Sequence, residues 1–187
     1  MVKVIRLSDL ASKAHAVSPG GAGFYEESCM MCFDIAGHAS GVEISVDFAG
    51  IEEKVGVKWT GTVTPRMRLG YADRKKTLDF GACTIALLLV PEFTKFTAFE
   101  QSPTGDRIDY YLTNDEVDDE LIFNNTALLE ISGIQEENTS NTIAKRIQEK
   151  RTRYKKKSTT AATDTPDVPV YVCVVEFGRP QAKAVII

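Results

Sequence analysis

Thr77–Pro91 reads TLDFGACTIALLLVP, and its second half, Gly81 to Val90, carries apolar residues on every side of a helical turn. A helix that is apolar all round must be enclosed by other elements, so this stretch is expected to be the central core helix. Its start is signalled upstream. Thr64 has the side chain of an N-cap and Pro65 suits the first helical position. The pattern predicts one helix from Arg66 to Val90, bending near Gly70 or Gly81 and ended by Pro91. The longest apolar run, Ala82 to Pro91, is interrupted by Thr84 and is too short to span a bilayer.

Outward from this helix the pattern changes period. On the N-terminal side, Val42, Ile44, Val46 and Phe48 alternate with Glu43, Ser45 and Asp47, as in a half-buried strand. Strands are expected at Tyr25–Ile35, Val42–Phe48 and Lys54–Thr62. They follow an irregular lead-in over residues 1–23 with a breaker cluster, SPGGAG, at Ser18–Gly23. On the C-terminal side, strands are expected at Phe96–Glu100, Arg107–Leu112 and Ala127–Ile134. Next come a basic amphipathic helix from Asn141 to about Lys157 and a polar linker, Ser158–Asp167. A strand buried on both faces, Val170–Phe177, and a last strand, Ala182–Ile187, complete the reading. The fold class is α+β with a mixed sheet. A β-meander appendage over residues 1–63 precedes an α-β-β-β-α-β core over residues 64–187. The helical crossover predicts that the third and fourth core strands pair in parallel.

Three acids stand in apolar settings. Glu130 lies within LLEISGI, where alternation puts Leu128, Glu130 and Ser132 on one face and Leu129, Ile131 and Gly133 on the other. A carboxylate there is costly unless it is paired, hydrogen-bonded or metal-bound. Asp109 lies within RIDYYL, and Asp79 sits where the core helix becomes apolar. Three converging carboxylates form a hard-oxygen site suited to Mg²⁺ or Mn²⁺. Structural alternatives stand beside this. Glu130 has an arginine from an adjacent strand as an alternative partner, Asp79 has Lys75 or Lys76, and Asp109 has solvent at a strand end.

This order of elements, with Asp109 on the second core strand and Glu130 on the third, resembles the PD-(D/E)XK nuclease core, a restriction-endonuclease-like fold. The resemblance covers roughly residues 66–178. It implies that Asp79, Asp109 and Glu130 bind the metal of a phosphodiesterase. The 21-residue step from Asp109 to Glu130 suits the family. The lysine that orients water in that family falls two residues after the Glu, where this chain has Ser132. Some members carry the lysine on the following helix, which makes Lys145 the first candidate here and Gln148 the second. The segment also resembles uncharacterised bacterial proteins, some loosely associated with phage-defence loci.

The formal net charge of −4 conceals an uneven distribution. Residues 1–140 hold 12 Lys+Arg and 22 Asp+Glu, including an acidic run at Asp115–Glu120, while residues 141–187 hold 10 and 4. Eight cations fall between Lys145 and Lys157, namely Lys145, Arg146, Lys150, Arg151, Arg153, Lys155, Lys156 and Lys157. Such a stripe suits the phosphates of DNA or RNA; the alternative is a solvated helix. Two functions therefore compete. One is a metal-dependent nuclease-like domain. The other is a non-catalytic module of the same fold, binding nucleic acid, a partner protein or a second copy of itself within a larger assembly.

Other chemistries find little support. Cys29 and Cys32 form a lone C-x-x-C without a second pair, and Cys83 and Cys173 are isolated, so structural cysteines are expected. His15 and His38 lack metal-ligand spacing. Ser8, Ser18 and Ser102 lack a nucleophile-elbow context, and Gly20, Gly21 and Gly23 lack the Lys-Ser/Thr of a phosphate loop. The N-terminal MVKVIRLSDLASK has no apolar block, which gives a cytoplasmic expectation.

Overall fold

The computed structural model describes residues 2–103, 108–114, 127–158 and 168–187, with the side chains of residues 155–158 excepted. The acidic run Asp115–Glu120, most of the linker Ser158–Asp167, and the side chains of Lys155, Lys156 and Lys157 lie outside the described residues. Strand β1 (Lys3–Arg6) leads through a 3-10 turn (Leu7–Asp9) into the short helix α1 (Leu10–Lys13) and then α2 (Pro19–Ile35). The hairpin β2 (Val42–Phe48) and β3 (Ile51–Lys58) precedes α3 (Pro65–Gly70) and α4 (Arg74–Phe93). The remaining elements are β4 (Phe96–Gln101), β5 (Tyr110–Asn114), β6 (Ala127–Ile134), α5 (Ile143–Ser158), β7 (Val170–Glu176) and β8 (Gln181–Ile186).

All eight strands form one mixed sheet in the order β1-β3-β2-β8-β7-β6-β5-β4. The pair β6–β7 is parallel, as the α5 crossover requires, and β2–β8 and β1–β3 are parallel too. The sheet curls around α4, whose Ile85 to Val90 are fully buried. The N-terminal segment ties the β4 edge to α1, since Ala16 N donates to Ala98 O at 3.0 Å and Thr97 Oγ1 to Lys13 O at 2.6 Å. Residues 1–63 supply three strands and α2 to this sheet and to its main core, which runs without a break from Ile5 and Phe48 to Leu88 and Phe177. A second, smaller core lies on the opposite face, where Ile143 and Ile147 of α5 cover Leu128, Val172 and Val174.

Four expected elements differ from those observed. The stretch Tyr25–Ile35 is not a strand but most of α2. Ser18 caps that helix by accepting from Gly21 N at 3.1 Å, and Pro19 takes its first position. The cluster SPGGAG is therefore a helix start. The helix suits a run that contains a single β-branched residue, Ile35, and buries Cys29 to Phe33 against α4 and the sheet. Residues 1–23 hold β1, the 3-10 turn and α1 instead of an irregular lead-in. The single helix Arg66–Val90 is two helices. The chain breaks after Gly70, and Asp73 recaps α4 by accepting from Lys76 N at 3.1 Å. Pro91 falls in the last turn of α4, which continues to Phe93. Strand β5 starts at Tyr110, so Asp109 lies just outside it.

A carboxylate and lysine site where β5 leaves β6

The ladder between β5 and β6 runs from Leu112↔Ala127 to Tyr110↔Leu129. One further bond follows, Asp109 N to Leu129 O at 2.9 Å, and then β5 has ended. The next β6 donor on that edge, Ile131 N, needs an acceptor. The Asp109 side chain provides it, with Oδ2 at 2.6 Å. Asp109 thus stands in the split between the strands. A cavity of about 210 Å³ opens there, lined by Asp79, Cys83, Asp109, Ile131, Ser132 and Gly133. Asp79 and Cys83 are one helical turn apart on α4. That helix reaches the floor only because residue 133 is glycine, where a Cβ would lie 2.9 Å from Leu78 O.

Glu130 faces the other side of β6, towards α5. It is 3% exposed. Its Oε1 accepts from Lys150 Nζ and, at 3.5 Å, from Arg153 Nη1. Its Oε2 is buried without a hydrogen-bond partner among the described residues. The Lys150–Glu130 pair is itself buried, with side-chain exposures of 14% and 4%. A buried carboxylate left alone would cost several kcal/mol, on the order of the penalty for any lone buried ion. Helix α5 is pinned in the register this pair needs. Glu137 accepts from Ile143 N at 2.6 Å and pairs with Arg179, and the buried Glu176 accepts from Glu137 N at 3.1 Å.

Burial raises both cavity acids. Burial, followed by the charges of Glu130 and Asp79, pushes the Asp109 carboxyl up, against the Ile131 N–H bond and the Lys150 charge. Asp79 lies exposed at the cavity rim. The protein around it still pushes its carboxyl up through desolvation, opposed by Lys75, Arg146 and Lys150. Burial and then the Glu130 charge push the Tyr154 phenol up. All four thiols are raised, mainly by burial, and Cys29, Cys32 and Cys173 are buried in the core. Thiolate chemistry is therefore disfavoured at these cysteines.

The structure thus brings Asp79 and Asp109 to one cavity and sets Glu130 on the opposite face of β6. Among the described residues, no group of three or more His, Cys, Asp or Glu is placed to hold a metal ion. The reason is the two-residue period of a strand, because a helix on one face and a side chain on the other cannot meet. Lys145 does not reach the acids. Its Nζ donates to Thr139 O at 2.6 Å in the first turn of α5, and Gln148 is exposed. Lys150 is the lysine that meets Glu130. Four of the five described cations of the expected phosphate stripe are engaged within the chain. Lys145 is so bound, Arg146 Nε donates to Asn141 Oδ1 at 2.7 Å, and Lys150 and Arg153 serve Glu130. Arg151 is exposed.

Comparison with protein-family models, curated proteins and solved structures finds no match for the chain. Among the described residues, no helix is long and apolar enough to cross a membrane.

Proposed function

We propose that this chain is a nuclease-like module acting on the phosphodiester backbone of DNA or RNA, with Asp79 and Asp109 as the acids of its centre, Mg²⁺ or Mn²⁺ as its cofactor, and the Glu130–Lys150 pair bracing β6 from the α5 side. The observation that carries this reading is that Asp79 of α4 and Asp109 of the β5–β6 split line one cavity, with Asp109 Oδ2 held at 2.6 Å by Ile131 N. Clustered, perturbed carboxylates in a cavity are a mark of reactive sites. The order α4, β4, β5, β6, α5, β7, with parallel β6 and β7, supports the restriction-endonuclease-like resemblance.

In donor type the cavity suits a hard cation. Mg²⁺ is commonly held by one or two carboxylates together with substrate phosphates, and Asp79 and Asp109 supply that pair. Bound there, the ion would contribute Lewis acidity and a more acidic water. Lys150 supports β6 from the α5 side. Its position against Glu130 fixes its ammonium, and Asp109 is oriented by the Ile131 N–H. A second reading is favoured by one feature. Glu130 is already neutralised by both Lys150 and Arg153, as in a non-catalytic module that binds nucleic acid, a partner protein or another copy of itself.

The test incubates the full chain with single- and double-stranded DNA and RNA in Mg²⁺, Mn²⁺ or chelator. Metal-dependent cleavage is expected, falling at least about a hundredfold in Asp79→Asn and Asp109→Asn, the scale of losing a positioned catalytic group. Binding without cleavage by the wild type selects the non-catalytic reading. Cleavage that persists in both variants removes the centre.

A further inference from the structure

A group of exposed cations gathers at the α3–α4 corner. Arg66, Arg74, Lys75 and Lys76 are exposed there and make no ion pair among the described residues. The neighbouring acids are mostly committed. Asp34 pairs with Arg68 at 2.7 Å, Asp73 caps α4, and Glu27 meets the Tyr71 hydroxyl, leaving Glu26. Beside these cations stands an aromatic pair. Phe24, 44% exposed, is stacked on Tyr71 with ring centroids 5.4 Å apart and braced edge-on by Phe80 at 4.8 Å.

This corner adjoins the cavity. Phe80 follows Asp79 on α4. Tyr25, next to Phe24, shares a 2.9 Å hydroxyl contact with Tyr110, next to Asp109. Lys75 from α4 and Arg146 and Lys150 from α5 act electrostatically on Asp79.

We propose that the α3–α4 corner is a binding platform for single-stranded nucleic acid, with Phe24 stacking an unpaired base and Arg74, Lys75 and Lys76 contacting the phosphates that lead to the cavity. An exposed aromatic face has value only where bases are unstacked, and the combination of stacking ring and cationic track is that of single-strand binders. A duplex would meet the cations but leave Phe24 without a role. The proposal rests on the nuclease-like reading only for the direction in which the strand runs.

Fluorescence anisotropy on the full chain tests it, with labelled DNA and RNA oligonucleotides of about ten nucleotides as single strands and as duplexes. Single strands should bind more tightly than duplexes, with affinity falling steeply as salt rises. Phe24→Leu keeps apolar packing on Phe80 and should weaken single-strand binding about fivefold to a hundredfold, the range for one lost base stack. Phe24→Trp should restore it, and Lys75→Glu with Lys76→Glu should weaken binding and flatten the salt dependence. Equal or tighter duplex binding, no binding at all, or affinity indifferent to both Phe24→Leu and the lysine pair overturns the platform. Single-strand binding without cleavage upholds it while removing catalysis. Duplex cleavage without single-strand preference does the reverse.

Discussion

Replacing Lys150 by methionine tests the contact between α5 and β6 most directly, because it leaves Glu130 buried with half of its counter-charge gone. Side-chain exposures of 14% for Lys150 and 4% for Glu130 place the pair inside the protein. Breaking a buried pair from one side costs about 3–5 kcal/mol. Arg153 stays at 3.5 Å, but its side chain is 47% exposed, so solvent screens it and it recovers at most about 1 kcal/mol. Methionine fills most of the lysine stem. The expected loss is therefore about 2–4 kcal/mol, or roughly 5–15 °C in Tm for a chain of this length. Adding Glu130→Gln removes the stranded charge, so the double variant should be more stable than Lys150→Met alone. Denaturant unfolding of all four members of the cycle measures this, with coupling above about 1 kcal/mol expected for groups in contact. A loss below about 1 kcal/mol for Lys150→Met, or strict additivity, would refute the buried pair.

Two further predictions concern the cavity. Asp109→Asn keeps an acceptor for Ile131 N and removes a charge whose ionisation burial opposes. Because the folded carboxyl is raised, its stability contribution is present below the unfolded value of about 3.9 and is lost as pH rises through the folded value. The variant should thus melt higher than the wild type near neutral pH, with the gap closing as pH falls towards 3; a gap independent of pH contradicts this. Gly133→Ala would set a Cβ 2.8 Å from Leu78 Cγ and 2.9 Å from Leu78 O, and the backbone contact forces α4 outward. A destabilisation of about 1–3 kcal/mol is expected, and an unchanged unfolding curve would show that α4 does not press on β6 there.

Much of the C-terminal two-thirds was legible because its patterns were unambiguous. LLEISGI alternates as observed, with Leu128 and Ile134 under α5 and Leu129 and Ile131 in the main core. Cys29 to Phe33 was ambiguous, since a short run of unbroken apolar residues fits a buried strand and a buried helix equally. The capping geometry of Ser18 and Pro19 decides it. Lys150 carried a signal that could have been used. It lies with Ile143, Ile147 and Tyr154 on one helical stripe, and a cation on the buried face of an amphipathic helix calls for a buried anion, which Glu130 supplies. Lys145 is off that stripe.

Local chemistry alone determined that α4 would be enclosed, that Glu130 would be buried and need a partner, and that β6 and β7 would run parallel around α5. Those properties depend on residue type and on periods of two or 3.6, which are written along the chain. Which charges meet was decided only by the tertiary structure. The side of β6 that each acid occupies, the point where β5 ends, and the register in which Glu137 and Arg179 pin α5 are relations between segments far apart in sequence. They separate Glu130 from Asp79, bring Lys150 and not Lys145 to Glu130, and leave Arg74, Lys75 and Lys76 exposed near Phe24. A one-residue slip in strand register or a quarter-turn of α5 would rearrange every one of these pairings without changing the hydrophobic pattern in any single segment.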